Sequence, residues 1–231
     1  MPQRIPLHKT SLWIETTLKI AVTSTMISLG LVMSIVTVFV PNFEFISLTI
    51  FVISFLFGLK YGFFGTISLS ILYELIVTQI YGSAGLLFLI KIFCYGMLVF
   101  FVGKSQRILL KLSWWELGTI GFAFSLFYDI ITTVVGQIII VQTHITIQYL
   151  LIVLVMGFPF TLSHVLTNFV LFSMSKLIIR WVLLAFKYKG IRVLWSEGIM
   201  EATNVKLETL FDGVVTNKWI YCTSKNSRRR L

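Results

Sequence analysis

The stretch PNFEFISLTIFVISFLFGLKYGFFG, residues 41–65, decides the predicted fold of this chain. It opens with the helix-stopping Pro41 and the polar residues Asn42 and Glu44, between two long apolar runs. A short apolar segment follows, and then Gly58, Gly62 and Gly65 at close helical spacing, which we expect to be close-packing points. A membrane chain carries Pro, Asn and Glu at such a point either in a plain surface turn or in a binding site.

The composition indicates a membrane protein. Hydrophobic residues make up 57% of the 231 residues, charged residues make up 12%, and the mean hydropathy is +0.93. A soluble domain of this length has too little interior to bury so much apolar surface. Apolar runs of about 18 or more residues recur along the chain, which is typical of transmembrane helices.

The apolar runs predict an all-α fold, a bundle of six transmembrane helices. The predicted spans cover residues 18–40, 45–59, 63–80, 85–102, 113–141 and 149–177. The second span is short for a bilayer, so it must stand upright or thin the membrane locally. Ser113 and Glu116 match a capping box at the start of the fifth span, and Pro159 is expected to kink the sixth.

The positions of Lys and Arg predict the orientation. The connections after spans one, three and five contain neither residue, whereas those after spans two, four and six are basic. Because basic loops remain in the cytoplasm, we expect a multi-pass protein of the cell membrane with both termini cytoplasmic. The predicted regions are an interfacial N-terminus (1–17), a transmembrane domain (18–185) and a basic cytoplasmic tail (186–231).

The net charge of +10 does not indicate a nucleic-acid partner, because the basic residues follow the loops and the tail. The lipid bilayer is the expected partner, and the tail can also contact anionic lipid or a cytoplasmic protein. Cys94 and Cys222 lie far apart, so they predict neither a disulfide framework nor a metal site.

Ionisable side chains inside the apolar runs are the first candidates for a binding site. Such a group costs about 2.5–3.5 kcal/mol in a membrane helix, so each is expected to have a partner or a function. Glu74 and Lys91 fall at similar depth on either side of a short turn, and Tyr95 lies one helical turn from Lys91. They either form an ion pair that holds two helices together or line a polar cavity open to the outside.

Polar residues recur at helical spacing along three spans. Span three carries Thr66, Ser70, Glu74 and Thr78; span five carries Ser125, Asp129, Thr133 and Gln137; span six carries Thr161, His164 and Asn168. Such polar stripes either hold helices together or line a cavity. Asp129 and His164 both fall near mid-span, where they could satisfy each other as a structural pair.

Catalytic motifs are missing from the sequence. Ser163 precedes His164, but neighbouring helical residues point in different directions and no nucleophile elbow is present. Nothing resembles a phosphate-binding Walker loop. We therefore expect a protein that is not an enzyme, with no catalytic residue, cofactor or metal site, and uphill transport would need energy from a partner or an ion.

Span one carries small residues on successive turns: Ala21, Thr25 and Ser28. Small residues at this spacing let another helix backbone approach closely. The contact could lie within this chain or with a separate subunit.

Three segments carry a family resemblance: PNFEF at 41–45 with the following glycines, IYGSAG at 80–85, and GFPF at 157–160 with His164 and Asn168. Together they resemble the substrate-binding S components of energy-coupling factor (ECF) transporters, most closely the cobalamin-type or unassigned-substrate branch. The resemblance covers about residues 18–185. It implies a six-helix bundle that binds a vitamin on its extracellular side.

The resemblance also implies partners and site residues. A transmembrane coupling subunit docks on small residues of helix one, in this chain Ala21, Thr25 and Ser28, and two cytoplasmic ATPases power transport. The implied substrate-binding residues are Asn42 and Glu44 in a loop that closes over the cavity, Tyr81 in a second outer loop, Lys91 and Tyr95 in the wall, and His164 and Asn168 at the floor. The Ala-xxx-Ala docking motif of the family is replaced by Ala21-xxx-Thr25.

The leading hypothesis is thus a substrate-capture subunit for a vitamin or related micronutrient, with cobalamin as one candidate, and with Glu74 and Asp129 completing the site. One alternative is a solitary small secondary transporter or channel in which Glu74, Lys91, Asp129 and His164 form an ion path. A second alternative is an intramembrane enzyme of lipid metabolism, or an accessory subunit of such an enzyme. Only His164 and nearby hydroxyls support it.

Overall fold

The computed structural model describes residues 7–39, 43, 45–82, 85–141 and 146–188. These ranges form six helices: α1 (Leu7–Val36), α2 (Phe45–Phe57), α3 (Leu59–Tyr81), α4 (Leu87–Leu109), α5 (Trp114–Val141) and α6 (Ile147–Tyr188). No strand occurs within them, so the predicted all-α fold class is confirmed.

Five helices in the described ranges are long and apolar enough to cross a membrane. The candidate spans are Thr16–Val36, Leu59–Ile80, Leu87–Leu109, Trp114–Ile139 and Ile147–Leu183. Large apolar side chains cover their outer surface, as Leu29, Phe93 and Met156 illustrate at 62%, 61% and 75% exposure. A surface of this kind suits lipid rather than water, and the chain forms a membrane helical bundle.

Helix α2 differs from the other five in length and position. It has 13 residues, which at 1.5 Å per residue gives about 20 Å, against about 30 Å for the hydrocarbon core of a bilayer. Ten of those residues are buried, and the helix contacts α1, α3, α4 and α6. The second predicted span is therefore a short helix enclosed by the rest of the bundle.

The turn between α2 and α3 depends on glycine. Gly58 has a φ of 78°, a left-handed conformation that side chains other than hydrogen disfavour, and it is the only residue between the two helices. Beyond the turn, Gly62 lies against Ser54 and Val99 and Gly65 lies against Ile53, so α2 and α3 pack closely as an antiparallel pair. The prediction of close packing is confirmed for Gly62 and Gly65, whereas a Cβ at Gly58 would meet only Gln106 Nε2, at 3.6 Å.

The predicted capping box at the start of α5 is confirmed. The Ser113 N–H donates to Glu116 Oε2 at 2.6 Å, and the Glu116 N–H donates to Ser113 Oγ at 3.4 Å.

Several predicted helix boundaries differ from those in the structure. Helix α1 already begins at Leu7, so residues 7–17 extend the first helix. Helix α6 continues through Pro159 to Tyr188 and includes the first residues of the predicted tail. The remainder of the tail, 189–231, lies outside the described residues.

Helices α5 and α6 make the most extensive contact among the described helices. Glycine residues allow the two helices to approach closely. A Cβ added at Gly121 would lie 2.5 Å from Phe172 Cγ and 2.7 Å from the carbonyl oxygen of Asn168. Because the second atom belongs to the backbone of α6, only a shift of the whole helix could relieve the overlap. Small residues at such positions are the usual basis of close helix pairing in lipid.

Replacing Gly121 with alanine should therefore destabilise the bundle, by about 1–3 kcal/mol as expected for overpacking. Unfolding in mixed detergent and SDS micelles would measure the loss as a lower midpoint. Gly157→Ala on α6 is the matched control, since a Cβ there meets no described atom within 4 Å. Equal midpoints for the two variants would contradict this account of the α5–α6 contact.

Candidate functional site

A narrow cleft lies at the end of the bundle where α2 begins, α3 ends and α4 begins. Its lining consists of Ile46 from α2, Ser70, Tyr73 and Glu74 from α3, and Phe88, Lys91 and Tyr95 from α4. The free space inside it is about that of a single water molecule. A small, partly open cleft with charged and hydroxyl side chains in a mainly apolar lining is thus present.

The cleft brings together three residues predicted for the site. Glu74, Lys91 and Tyr95 all line it, as expected from their matching depths on α3 and α4. Glu74 on α3 and Lys91 on α4 border one shared space, as the cavity interpretation of the sequence expects.

Ser70 adds a hydroxyl that the structure leaves unsatisfied. The residue is only 5% exposed, and its Oγ has no hydrogen-bond partner among the described residues. Most serines in membrane helices bond to their own backbone, as Ser125 does with the carbonyl of Gly121 at 2.8 Å. Buried hydroxyls without a partner are uncommon. Thr23 and Thr66 carry two more in the described part of the chain, but of these three residues Ser70 is the one that lines the cleft.

Tyr95 connects the cleft to the interior of the bundle. Its hydroxyl donates to the Tyr128 hydroxyl at 3.4 Å, and the two rings stack with centroids 5.3 Å apart. The Tyr128 ring in turn meets His164 edge to face at 6.0 Å. Sequence reasoning missed Tyr128 as a site residue, although its position three residues after Ser125 on the polar side of α5 was an available signal.

Asp129 and His164 form the structural pair that the sequence suggested. Asp129 Oδ1 and His164 Nδ1 lie 2.7 Å apart, and the side chains are 16% and 8% exposed. Pairing lowers the cost of holding an ionisable group among apolar helices. No group of three or more His, Cys, Asp or Glu side chains able to hold a metal ion occurs in the described part of the chain.

Asn168 extends these contacts to the central helix. It is fully buried, its Oδ1 accepts from Ser47 Oγ of α2 at 3.0 Å, and its Nδ2 donates to the His164 carbonyl at 3.3 Å. Sequence reasoning missed Ser47 as well, because a lone serine in a short apolar run carries no periodic signal. A chain of polar contacts thus links the cleft to α5, α6 and α2.

The polar stripes have different roles. On α5, Asp129 reaches His164, and Gln137 Oε1 accepts from the Tyr149 hydroxyl at 2.8 Å, so this stripe holds α5 to α6. On α3, Ser70 and Glu74 face the cleft instead. The polar stripe of α5 therefore holds helices together, and the polar stripe of α3 lines a cavity.

The predicted loop residues and the predicted docking residues of α1 lie away from the cleft or outside the described residues. Asn42 and Glu44 lie outside the described residues, and Tyr81 is the last residue of α3. Ala21, Thr25 and Ser28 are exposed on α1. The Thr25 hydroxyl donates to the Ala21 carbonyl at 2.9 Å and the Ser28 hydroxyl to the Ser24 carbonyl at 3.0 Å. This face of α1 is therefore uncovered by the described helices, and these hydroxyls are satisfied locally.

Comparison of the chain with known protein families, with curated proteins and with solved structures finds no match.

The Asp129–His164 contact can be tested by a double-mutant cycle. Asp129→Ala and His164→Ala should each destabilise the bundle, because each leaves a polar partner buried without its hydrogen bond. The double variant should lose less than the sum, with a coupling of about 0.5–3 kcal/mol for residues in direct contact. SDS-induced unfolding in micelles would measure the three variants.

Ser28→Ala provides the control, because its hydroxyl bonds to its own helix on an exposed face. Combined with His164→Ala, it should add within experimental error. An additive cycle for Asp129 and His164 would show that the two side chains do not stabilise each other.

Proposed function

We propose that this protein is the membrane-embedded substrate-capture subunit of an ECF-type importer, with α2 as the second of six spans and both termini in the cytoplasm. It binds a vitamin or related micronutrient, with a corrinoid of the cobalamin type as one candidate, on the outer face of the cell membrane. A coupling subunit and two cytoplasmic ATPases then drive release inside. The protein itself is not an enzyme.

The cleft lined by Glu74, Lys91 and Tyr95 is the observation that carries this proposal. It lies at the end of the bundle that bears the α1–α2 and α3–α4 connections, and neither connection contains Lys or Arg. Loops without basic residues favour the outer side. Opposite charges, hydroxyls and aromatic rings at an outward end suit capture of a small organic molecule.

The small volume of the cleft implies movement on binding. Drug-sized ligands occupy pockets of about 300–1,000 Å³, whereas this space is about that of one water molecule. We infer that the cleft widens on binding and that the outer ends of α3 and α4 separate to admit the ligand. Asn42 and Glu44, in the connection before α2, then close over it.

The exposed small-residue face of α1 supports the partner assignment. Ala21, Thr25 and Ser28 offer a surface on which another helix backbone can approach closely. The opposite face of α1 is already used within the chain, since Gly30 packs directly against Thr49 of α2. Two separate faces for two separate contacts fit a subunit that docks in the membrane.

Purification of the chain from its native membrane should recover a bound vitamin-like molecule together with a coupling subunit and ATPases. Mass spectrometry of the released small molecules and of the co-purified proteins would identify them. Combining Ala21→Leu with Thr25→Leu should abolish co-purification of the coupling subunit and leave the small molecule bound. Val155→Leu, at an exposed site on α6, should change neither.

A chain that emerges empty, without partner proteins, and whose melting temperature no vitamin raises, would contradict the proposal.

One observation favours an ion path as the second candidate function. The cleft with Glu74 and Lys91 connects through Tyr95 and Tyr128 to the Asp129–His164 pair. Ionisable and hydroxyl groups thus follow one another from the end of the bundle towards its middle, as in proton relays.

Proton flux into vesicles that contain the purified protein separates the two functions. For a capture subunit we expect no flux above that of protein-free vesicles, measured with an entrapped pH-sensitive dye. Flux that is lost in both Glu74→Gln and Asp129→Asn, and retained in Glu116→Gln at the start of α5, would favour the secondary transporter or channel.

A further inference from the structure

The unsatisfied hydroxyl of Ser70 indicates which chemistry the cleft is built to bind. This side chain is almost fully buried and lines the cleft, yet no described group of the protein bonds to its Oγ. Native proteins rarely leave a buried polar atom in this state. A hydroxyl of this kind in the wall of a polar cleft therefore points to a ligand group as its partner.

Lys91 supplies the second determinant. Lys91 is half-buried and lines the cleft. Its ammonium group has three donors and no acceptor, and a positive charge among apolar helices favours an anionic partner. A serine hydroxyl can donate to the same anion. Two donors, one of them charged, converging on one small space are complementary to a carboxylate.

Glu74 places a requirement on the rest of the ligand. An ionised carboxylate is acceptor-only and offers about four lone-pair positions, so Glu74 can accept from a ligand N–H in addition to its other contacts. The same negative charge disfavours a phosphate dianion, which would lie beside it. The cleft lining also lacks arginine, the residue best suited to bidentate phosphate binding.

The remaining lining is apolar or aromatic. Ile46, Phe88, Tyr73 and Tyr95 surround the polar groups, and aromatic rings favour contact with another flat ring.

We propose that the cleft binds a small planar amphoteric molecule, with its carboxylate held by Lys91 and Ser70 and an N–H donor directed at Glu74. The inference rests on the proposed capture function and specifies its substrate class. It adds Ser70 to the binding residues and disfavours a corrinoid, whose bulk and many neutral amides match this lining poorly.

A panel of acids and their primary amides tests the charge requirement in the purified full-length protein. We suggest 4-aminobenzoate and L-tryptophan, each compared with its primary amide, together with benzoate, which lacks the N–H donor. 4-Aminobenzoate or L-tryptophan should raise the melting temperature, and its amide should bind about 10- to 100-fold more weakly, as expected when a charged hydrogen bond is lost. Benzoate should also bind more weakly than 4-aminobenzoate.

Variants of the cleft test the assigned residues with the acid that binds. Lys91→Met should weaken binding about 10- to 100-fold and Ser70→Ala about 2- to 10-fold. Lys104→Met, an exposed lysine on the same helix, is the matched control and should leave affinity unchanged. Lys91→Arg keeps the charge and should retain part of the affinity, which guards against a loss caused only by misfolding.

Three outcomes would overturn the inference: an amide that binds as tightly as its acid, full affinity in Lys91→Met, or a panel without any stabilising acid. The proposed capture function fails separately. If the protein purifies with a coupling subunit and with a neutral vitamin or a corrinoid, the function stands and the cleft does not select planar amphoteric acids.

Discussion

The enclosure of α2 is the constraint on which the rest of the bundle depends. A helix of 13 residues is too short to leave both ends in the interfacial layers of a bilayer. Its terminal carbonyls must therefore be satisfied by protein. Gln106 of α4 does this, since its Nε2 donates to the carbonyls of Ser54 and Phe55 at 3.0 and 2.9 Å. The turn at Gly58 then folds α3 directly back along α2.

Around that centre the polar groups fall into two connected clusters. One cluster holds helices together: Asp129 with His164, and Asn168 with Ser47 of α2. The other lines the cleft and contains the opposite charges of Glu74 and Lys91 and the hydroxyl of Ser70, which bonds to no described group. Tyr95 belongs to both through its bond to Tyr128, so a change at the cleft has a direct physical route to the packed interior.

Much of the fold and part of the site could be predicted from the sequence. The capping box at Ser113, the close packing at Gly62 and the Asp129–His164 pair all follow from local spacing or from the cost of an isolated charge in lipid. Ser47 and Gln106 could not be assigned in this way. Their contacts depend on which faces of separate helices meet. The spacing of residues along one helix does not determine this.

The sequence by itself determined that the chain is helical and embedded in lipid, because hydropathy and helical period are properties of each segment alone. It also placed Glu74 and Lys91 at one depth, because a short turn joins their helices. Only the tertiary structure decided that α2 is enclosed, that the α3 stripe faces a cleft while the α5 stripe faces α6, and that the Ser70 hydroxyl lines that cleft unbonded. Those outcomes depend on how each helix is rotated about its axis, and close packing between helices sets that rotation.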